Sequence, residues 1–261
     1  IKRYVPDIRF HDDDLDRQIT LRDMLSHRTG VTRHDLIWYE SPFTRKELWD
    51  RLRYLEPSAP IRTTFLYNNL MYTAVGYAIE ELSGKTWERY VQERLLDPLQ
   101  MTHTTLTIED NLKGPEHAVP YSERRDSSVL YRQPFYTAER AIAPAGAINS
   151  SVQDLSHWLI ALMNDGKYHG KQVIPAAVIR ESLEPSLAMP NSGMRAYGWT
   201  ELLNAAYGMG RWTASYRVGR PASCTTSPSS INDETSAEAK AWLGCGLLVR
   251  GAAAGRLSRC R

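Results

Sequence analysis

Long apolar runs are missing from this 261-residue chain. Nothing in it approaches the ~20 consecutive apolar residues that a membrane-spanning helix needs. Cysteine is scarce. There are three (Cys224, Cys245 and Cys260), with no C-x-x-C pair among them. That excludes a disulfide scaffold and a thiolate metal site of the usual spacing. The common catalytic signatures are also absent. The chain has no G-x-S-x-G elbow, S-x-x-K, H-E-x-x-H, glycine-rich phosphate loop or dinucleotide fingerprint. Nor does one sign of charge dominate: 32 Lys/Arg face 30 Asp/Glu, for a net charge of +2. With no interleaving of aromatic and basic residues, nothing marks a nucleic-acid surface.

What is present is the composition of a globular protein, 42% hydrophobic and 24% charged. The length allows one large domain or two small ones. The chain opens Ile1-Lys2-Arg3-Tyr4, with no Met and no apolar leader, so the expectation is a fragment. Residues 1–217 carry 26 basic and 27 acidic side chains, and residues 218–261 carry six and three. The second stretch holds all the cysteines and one aromatic, Trp242. A basic arm, a poorly ordered end and a shifted reading frame all fit it. Short charge runs without aromatic–basic interleaving favour the poorly ordered end over the basic arm, and the shifted frame stays open. The expected division is therefore 1–217 as a folded domain and 218–261 as a divergent tail.

Helix signals dominate residues 19–100. Thr20-Leu21-Arg22-Asp23 starts one helix, and Gly30 is its expected stop. Thr44-Arg45-Lys46-Glu47 is a capping box, followed by Leu48, Leu52 and Leu55 at helical spacing. Leu70, Met71, Ala74, Val75, Ala78, Ile79 and Leu82 form the clearest apolar stripe, ended by Ser83-Gly84. Trp87 to Leu96 predicts a second helix packed on the first. Residues 101–148 read as irregular, with short extended pieces such as Val129-Leu130-Tyr131. Ser151-Val152-Gln153-Asp154 opens another capped helix, closed at Asn164-Asp165-Gly166. Pro175 is expected in the first turn of the next helix. Tyr207-Gly208-Met209-Gly210 reads as the start of a strand region.

Asp12-Asp13-Asp14 after His11 reads as a solvated acidic turn rather than a cation site. The other histidines have no ligand partner at helical or strand spacing and read as structural or exposed. Phe65-Leu66-Tyr67-Asn68-Asn69 stands out because it joins a proline-bounded loop to the strongest helix. By itself, a Tyr at such a junction is more often a packed residue with a bonded hydroxyl.

The surrounding phrases add weight. Ile19-Thr20-Leu21-Arg22-Asp23-Met24-Leu25-Ser26-His27-Arg28-Thr29-Gly30-Val31 resembles a segment of the serine β-lactamase and penicillin-binding-protein-like family. That family includes class C β-lactamases, family VIII esterases and D-aminopeptidases. Tyr67-Asn68-Asn69, with Tyr72, Gly76, Glu80 and Ser83-Gly84 behind it, resembles the family's Y-x-N motif and following helix. Leu95 to Met101, Pro144 to Ser151 with Asp154, Leu155 and Trp158, and Tyr207 to Gly210 resemble three further family phrases in the family's order.

The resemblance implies an α/β (α+β), β-lactamase/transpeptidase-like fold. This chain would hold mostly the helical domain, with an incomplete antiparallel sheet domain. It implies hydrolysis of a small-molecule or peptide-like amide or ester through an acyl-serine, with no metal or organic cofactor. Tyr67 would be the general acid/base, and Asn69 would hydrogen-bond the substrate amide and the catalytic lysine. The family's S-x-x-K is expected ahead of Ile1, and its K-T-G or H-x-G is not found after Tyr216. The chain by itself is therefore expected to be inactive. Pro60-Ile61 stands where the family often has Pro-Gly. The competing reading is a non-catalytic module that holds a ligand in the same cleft.

Overall fold

The computed structural model describes residues 1–124, 126–135, 140–189, 198 and 202–216. The tail 218–261, with Cys224, Trp242, Cys245 and Cys260, lies outside the described residues. Nine α-helices are described: α1 Asp13–Gln18, α2 Leu21–Leu25, α3 Arg45–Arg51, α4 Asn69–Ser83, α5 Trp87–Val91, α6 Ile108–Lys113, α7 Ala143–Gly146, α8 Val152–Met163 and α9 Ala176–Leu183. Seven strands accompany them: β1 Tyr121–Arg124, β2 Ser127–Arg132, β3 Lys167–Tyr168, β4 Lys171–Gln172, β5 Leu187–Ala188, β6 Leu202–Tyr207 and β7 Trp212–Tyr216. β1–β2 and β3–β4 are antiparallel hairpins, and β5–β6–β7 is a three-stranded antiparallel sheet. Among the described residues this is the mixed α/β fold expected, helices with small antiparallel sheets. No described helix is long and apolar enough to cross a membrane.

Helix starts follow their local chemistry. Thr20 accepts the Asp23 N–H while the Asp23 carboxylate accepts the Thr20 N–H, and Thr44 and Glu47 do the same for α3. Asp12 caps α1 by accepting the Leu15 N–H at 2.8 Å, so the acidic turn serves a helix. Thr86 caps α5, and Ser151 caps α8. Gly84 closes α4 at φ 66°, a left-handed conformation that favours a residue without Cβ.

Several expectations shift. α2 stops at Leu25, well before Gly30. Gly30 serves a different need: at φ +85°, a Cβ there would lie 2.1 Å from the Ala59 carbonyl oxygen. The stretch read as irregular contains α6 and the β1–β2 hairpin. β6 begins at Leu202, so Gly208-Met209-Gly210 belongs to the connection between β6 and β7. Pro175 sits just before α9, in the cap position.

α4 is the central helix. Leu70, Met71, Ala74, Tyr77 and Ala78 are buried against Ile8, Ile19, Met24, Leu48 and Leu52. Burying a side chain the size of Leu70 or Met71 contributes roughly 1.5–3 kcal/mol. Leu82, expected on the stripe, lies in the last turn of α4 and is 61% exposed. Gly76 lets α7 come close, because a Cβ there would sit 2.2 Å from Pro144 Cγ. Buried Arg45 ties α3 to this arrangement. It pairs with Glu80 and Glu88 and donates to the Ala141 and Arg140 carbonyls. A second core gathers Trp87, Leu96, Leu99, Met101 and Tyr168 beneath α5 and α8.

Candidate active site

The approach to α4 is a loop held from below. Arg62, two residues after Pro60, takes a left-handed turn at φ 66°. Such a conformation costs an L-residue roughly 1–2 kcal/mol. Its contacts offset that cost: Nε and Nη2 donate to the two Asp23 oxygens at 3.0 and 2.9 Å, and the backbone N–H donates to the Arg28 carbonyl at 2.7 Å. Asp23 is fully buried and also accepts from Arg28 Nε at 2.6 Å. Burial alone would raise its pKa. The Arg62, Thr20 and Arg28 donors outweigh that and hold the carboxyl at about 2. Arg28 then reaches the sheet side, donating to the Ser186 carbonyl at 2.7 Å.

Three consecutive residues next meet His27. The Leu66 N–H donates to the His27 carbonyl at 2.9 Å. The Tyr67 ring lies against the imidazole, with centroids 4.3 Å apart. The Asn68 N–H donates to His27 Nδ1 at 3.1 Å. An accepting Nδ1 on a neutral imidazole assigns the proton to Nε2. Phe65, Tyr72 and Tyr207 complete the surroundings, at 5.6, 4.9 and 5.1 Å. His27 is 1% exposed, and burial pushes its pKa down to about 3. The Tyr72 hydroxyl donates to the Leu25 carbonyl at 2.6 Å, and burial pushes that phenol far up. The Gly210 N–H reaches the same carbonyl at 3.2 Å, so the β6–β7 connection closes over this point.

The two asparagines divide their work. Asn68 is fully buried. Its Oδ1 caps α4 by accepting the Leu70 N–H at 2.9 Å, and its Nδ2 donates to the Val31 and Thr32 carbonyls at 3.2 and 2.7 Å. Asn69 is half-buried, the first residue of α4, and its carbonyl accepts the Thr73 hydroxyl at 3.1 Å. Its side chain makes no hydrogen bond to another described residue. Tyr67 is 40% exposed, and the Arg33 guanidinium stands 5.7 Å from its ring centroid. A phenol and an amide are therefore held at one rigid loop–helix junction. A phenol of ordinary pKa about 10 becomes a useful base only beside a cation that stabilises phenolate.

Asp23, His27 and Arg28 lie in a phrase the sequence singles out, but nothing local there shows that Asp23 meets Arg62 39 residues on or that His27 meets Asn68 41 residues on. Among the described residues, no three His, Cys, Asp or Glu side chains gather to hold a metal.

A Beta-lactamase family model matches residues 1–229. The chain is 36% identical over 152 residues to the unguisins hydrolase ungD of Aspergillus violaceofuscus, a match covering 56% of this chain and 27% of that protein. The chain thus spans about a quarter of the length of that curated relative. The fold is similar to that of a D-stereospecific amidohydrolase from Streptomyces sp., with TM-score 0.62 and 19% identity over 92% of this chain and 64% of the other. It is also similar to the octameric penicillin-binding protein homologue from Pyrococcus abyssi, with TM-score 0.61 and 23% identity over 78% of this chain and 47% of the other. The ordered motifs, the helical fold built on α4 and the family match agree: the chain belongs to the beta-lactamase family.

Proposed function

We propose that residues 1–217 supply the tyrosine side of a serine hydrolase site that cleaves amide or ester bonds through an acyl-serine. The substrate is a small molecule or a peptide-like compound. The observation that carries the reading is the split at the start of α4. Asn68 is spent on capping and burial, while Tyr67 and Asn69 on either side keep accessible surface. A hydrolase described as acting on unguisins and a D-stereospecific amidohydrolase among the similar proteins support an amide substrate.

In this reading the serine hydroxyl adds to the carbonyl carbon and passes its proton towards Tyr67. Backbone N–H groups hold the oxyanion. The proton then goes to the departing amine or alcohol, leaving the acyl-serine, and water releases the acid. Asn69 holds the substrate amide beside the lysine. In this reading the acylating serine and lysine are not among these 261 residues, which contain no S-x-x-K.

The test has two parts. The 261-residue chain is incubated with fluorescent penicillin and a p-nitrophenyl ester; no covalent label and no saturable turnover are expected. The coding sequence on both sides is then read and expressed with it. An in-frame S-x-x-K is expected, with turnover that Tyr67→Phe lowers by about 10²–10⁴-fold. Reversible penicillin binding without turnover in the longer polypeptide would instead identify a ligand-holding module.

A further inference from the structure

We propose that His27 is the positioning residue for the Tyr67–Asn69 junction, acting through its Nδ1 acceptor and its ring. This rests on the reading of Tyr67 as a site residue. The contacts are concentrated: the backbone of residue 66, the ring of 67 and the backbone N–H of 68 all meet His27. A histidine that merely filled the core would not need to receive three successive residues of one motif. The imidazole gives Tyr67 a flat floor at 4.3 Å, tilted by 35°. Its in-plane nitrogen fixes the Tyr67–Asn68 peptide, and with it the angle at which the Tyr67 and Asn69 side chains leave the chain.

The floor is itself held rigidly. Tyr72 stacks on His27 at 29°, and Phe65 meets it edge-on at 88°. His27 also has a left-handed backbone, φ 55°, a conformation uncommon outside glycine that histidine, like asparagine and aspartate, adopts more readily than other residues. That conformation places the ring of His27 under residue 67 while its carbonyl accepts from residue 66. A neutral imidazole is required, since a protonated Nδ1 cannot accept.

Two substitutions separate the functions. His27→Asn suits the left-handed backbone and keeps a short acceptor near Nδ1 but has no ring. His27→Phe keeps a ring and has no acceptor. The measurements are nuclear magnetic resonance on the 261-residue chain. In the unmodified chain, a through-hydrogen-bond coupling between Asn68 N and His27 Nδ1 is expected. In His27→Phe, exchange of the Asn68 amide should be about tenfold faster, and Asn should restore it. The ring-current shift of the Tyr67 protons should persist in Phe and vanish in Asn. The Ala161 amide, in the second core, should be unchanged in both.

Absence of the coupling overturns the proposal even if neither variant folds. So does an Asn68 amide indifferent to Phe, or one that speeds up in parallel with Ala161, which would make His27 a plain core residue. The catalytic reading fails separately: if Tyr67→Phe leaves turnover of the longer polypeptide unchanged, His27 still places the junction but the junction does no chemistry.

Discussion

Lowering the pH from 7 to 5 tests the buried imidazole thermodynamically. In the unfolded chain His27 takes up a proton near the ordinary 6.5, whereas in the fold burial delays this to about 3. A folded-state pKa below the unfolded one means that the unfolded state binds more protons between those limits. Stability is therefore fully present above 6.5 and is lost as pH falls towards 3. Each pH unit below 6.5 costs about 1.4 kcal/mol, so the loss at pH 5 is about 2 kcal/mol. Asp23 does not interfere in this window. Its depressed value, about 2, gives stability that is present above its ordinary 3.8 and lost only as pH falls from there towards 2. The assay is urea unfolding of the wild-type chain and His27→Asn at pH 7, 6 and 5. The wild-type advantage over the variant should shrink by about 2 kcal/mol across that range. A wild-type-minus-variant difference that stays constant with pH would refute the reasoning, because the folded imidazole would then titrate like the unfolded one.

Asn68→Ala removes the cap of α4 and leaves the Val31 and Thr32 carbonyls without their donor; a loss of about 2–3 kcal/mol is expected in urea unfolding. Gly76→Ala adds a better helix former yet places a Cβ against Pro144, so a net destabilisation of about 1–3 kcal/mol is expected, read as a lower thermal midpoint. Tyr67→Phe removes one hydroxyl from a residue that is 40% exposed and should leave the unfolding free energy within about 0.5 kcal/mol of wild type, so any lost turnover in the longer polypeptide reports chemistry.

Much of the helical framework is legible residue by residue. The Thr20–Asp23, Thr44–Glu47 and Ser151–Asp154 pairs each act within one turn, so their spacing in the chain is already their geometry. Gly84 is equally local, since the residue after a helix takes the left-handed turn that a missing Cβ permits. Gly30 shows where that logic stops. Its need for a missing side chain comes from Ala59, nearly thirty residues on, so it resembles a helix stop without being one. The β1–β2 hairpin was only half legible. Its strand β2 is exposed on both faces, so burial left no alternating pattern to read.

The order of motifs, and with it the family, belongs to the sequence by itself, as does the candidacy of Tyr67 and Asn69. Which asparagine turns inward was decided only by the tertiary structure. Asn68 and Asn69 are chemically identical, and the difference lies in the Val31 and Thr32 carbonyls that the fold brings to one of them. His27 and Arg62 gained their roles the same way, from an amide 41 residues away and a carboxylate 39 residues away. Buried polar groups must find partners, and partners distant in the chain become neighbours only when packing of the apolar faces has set the backbone path.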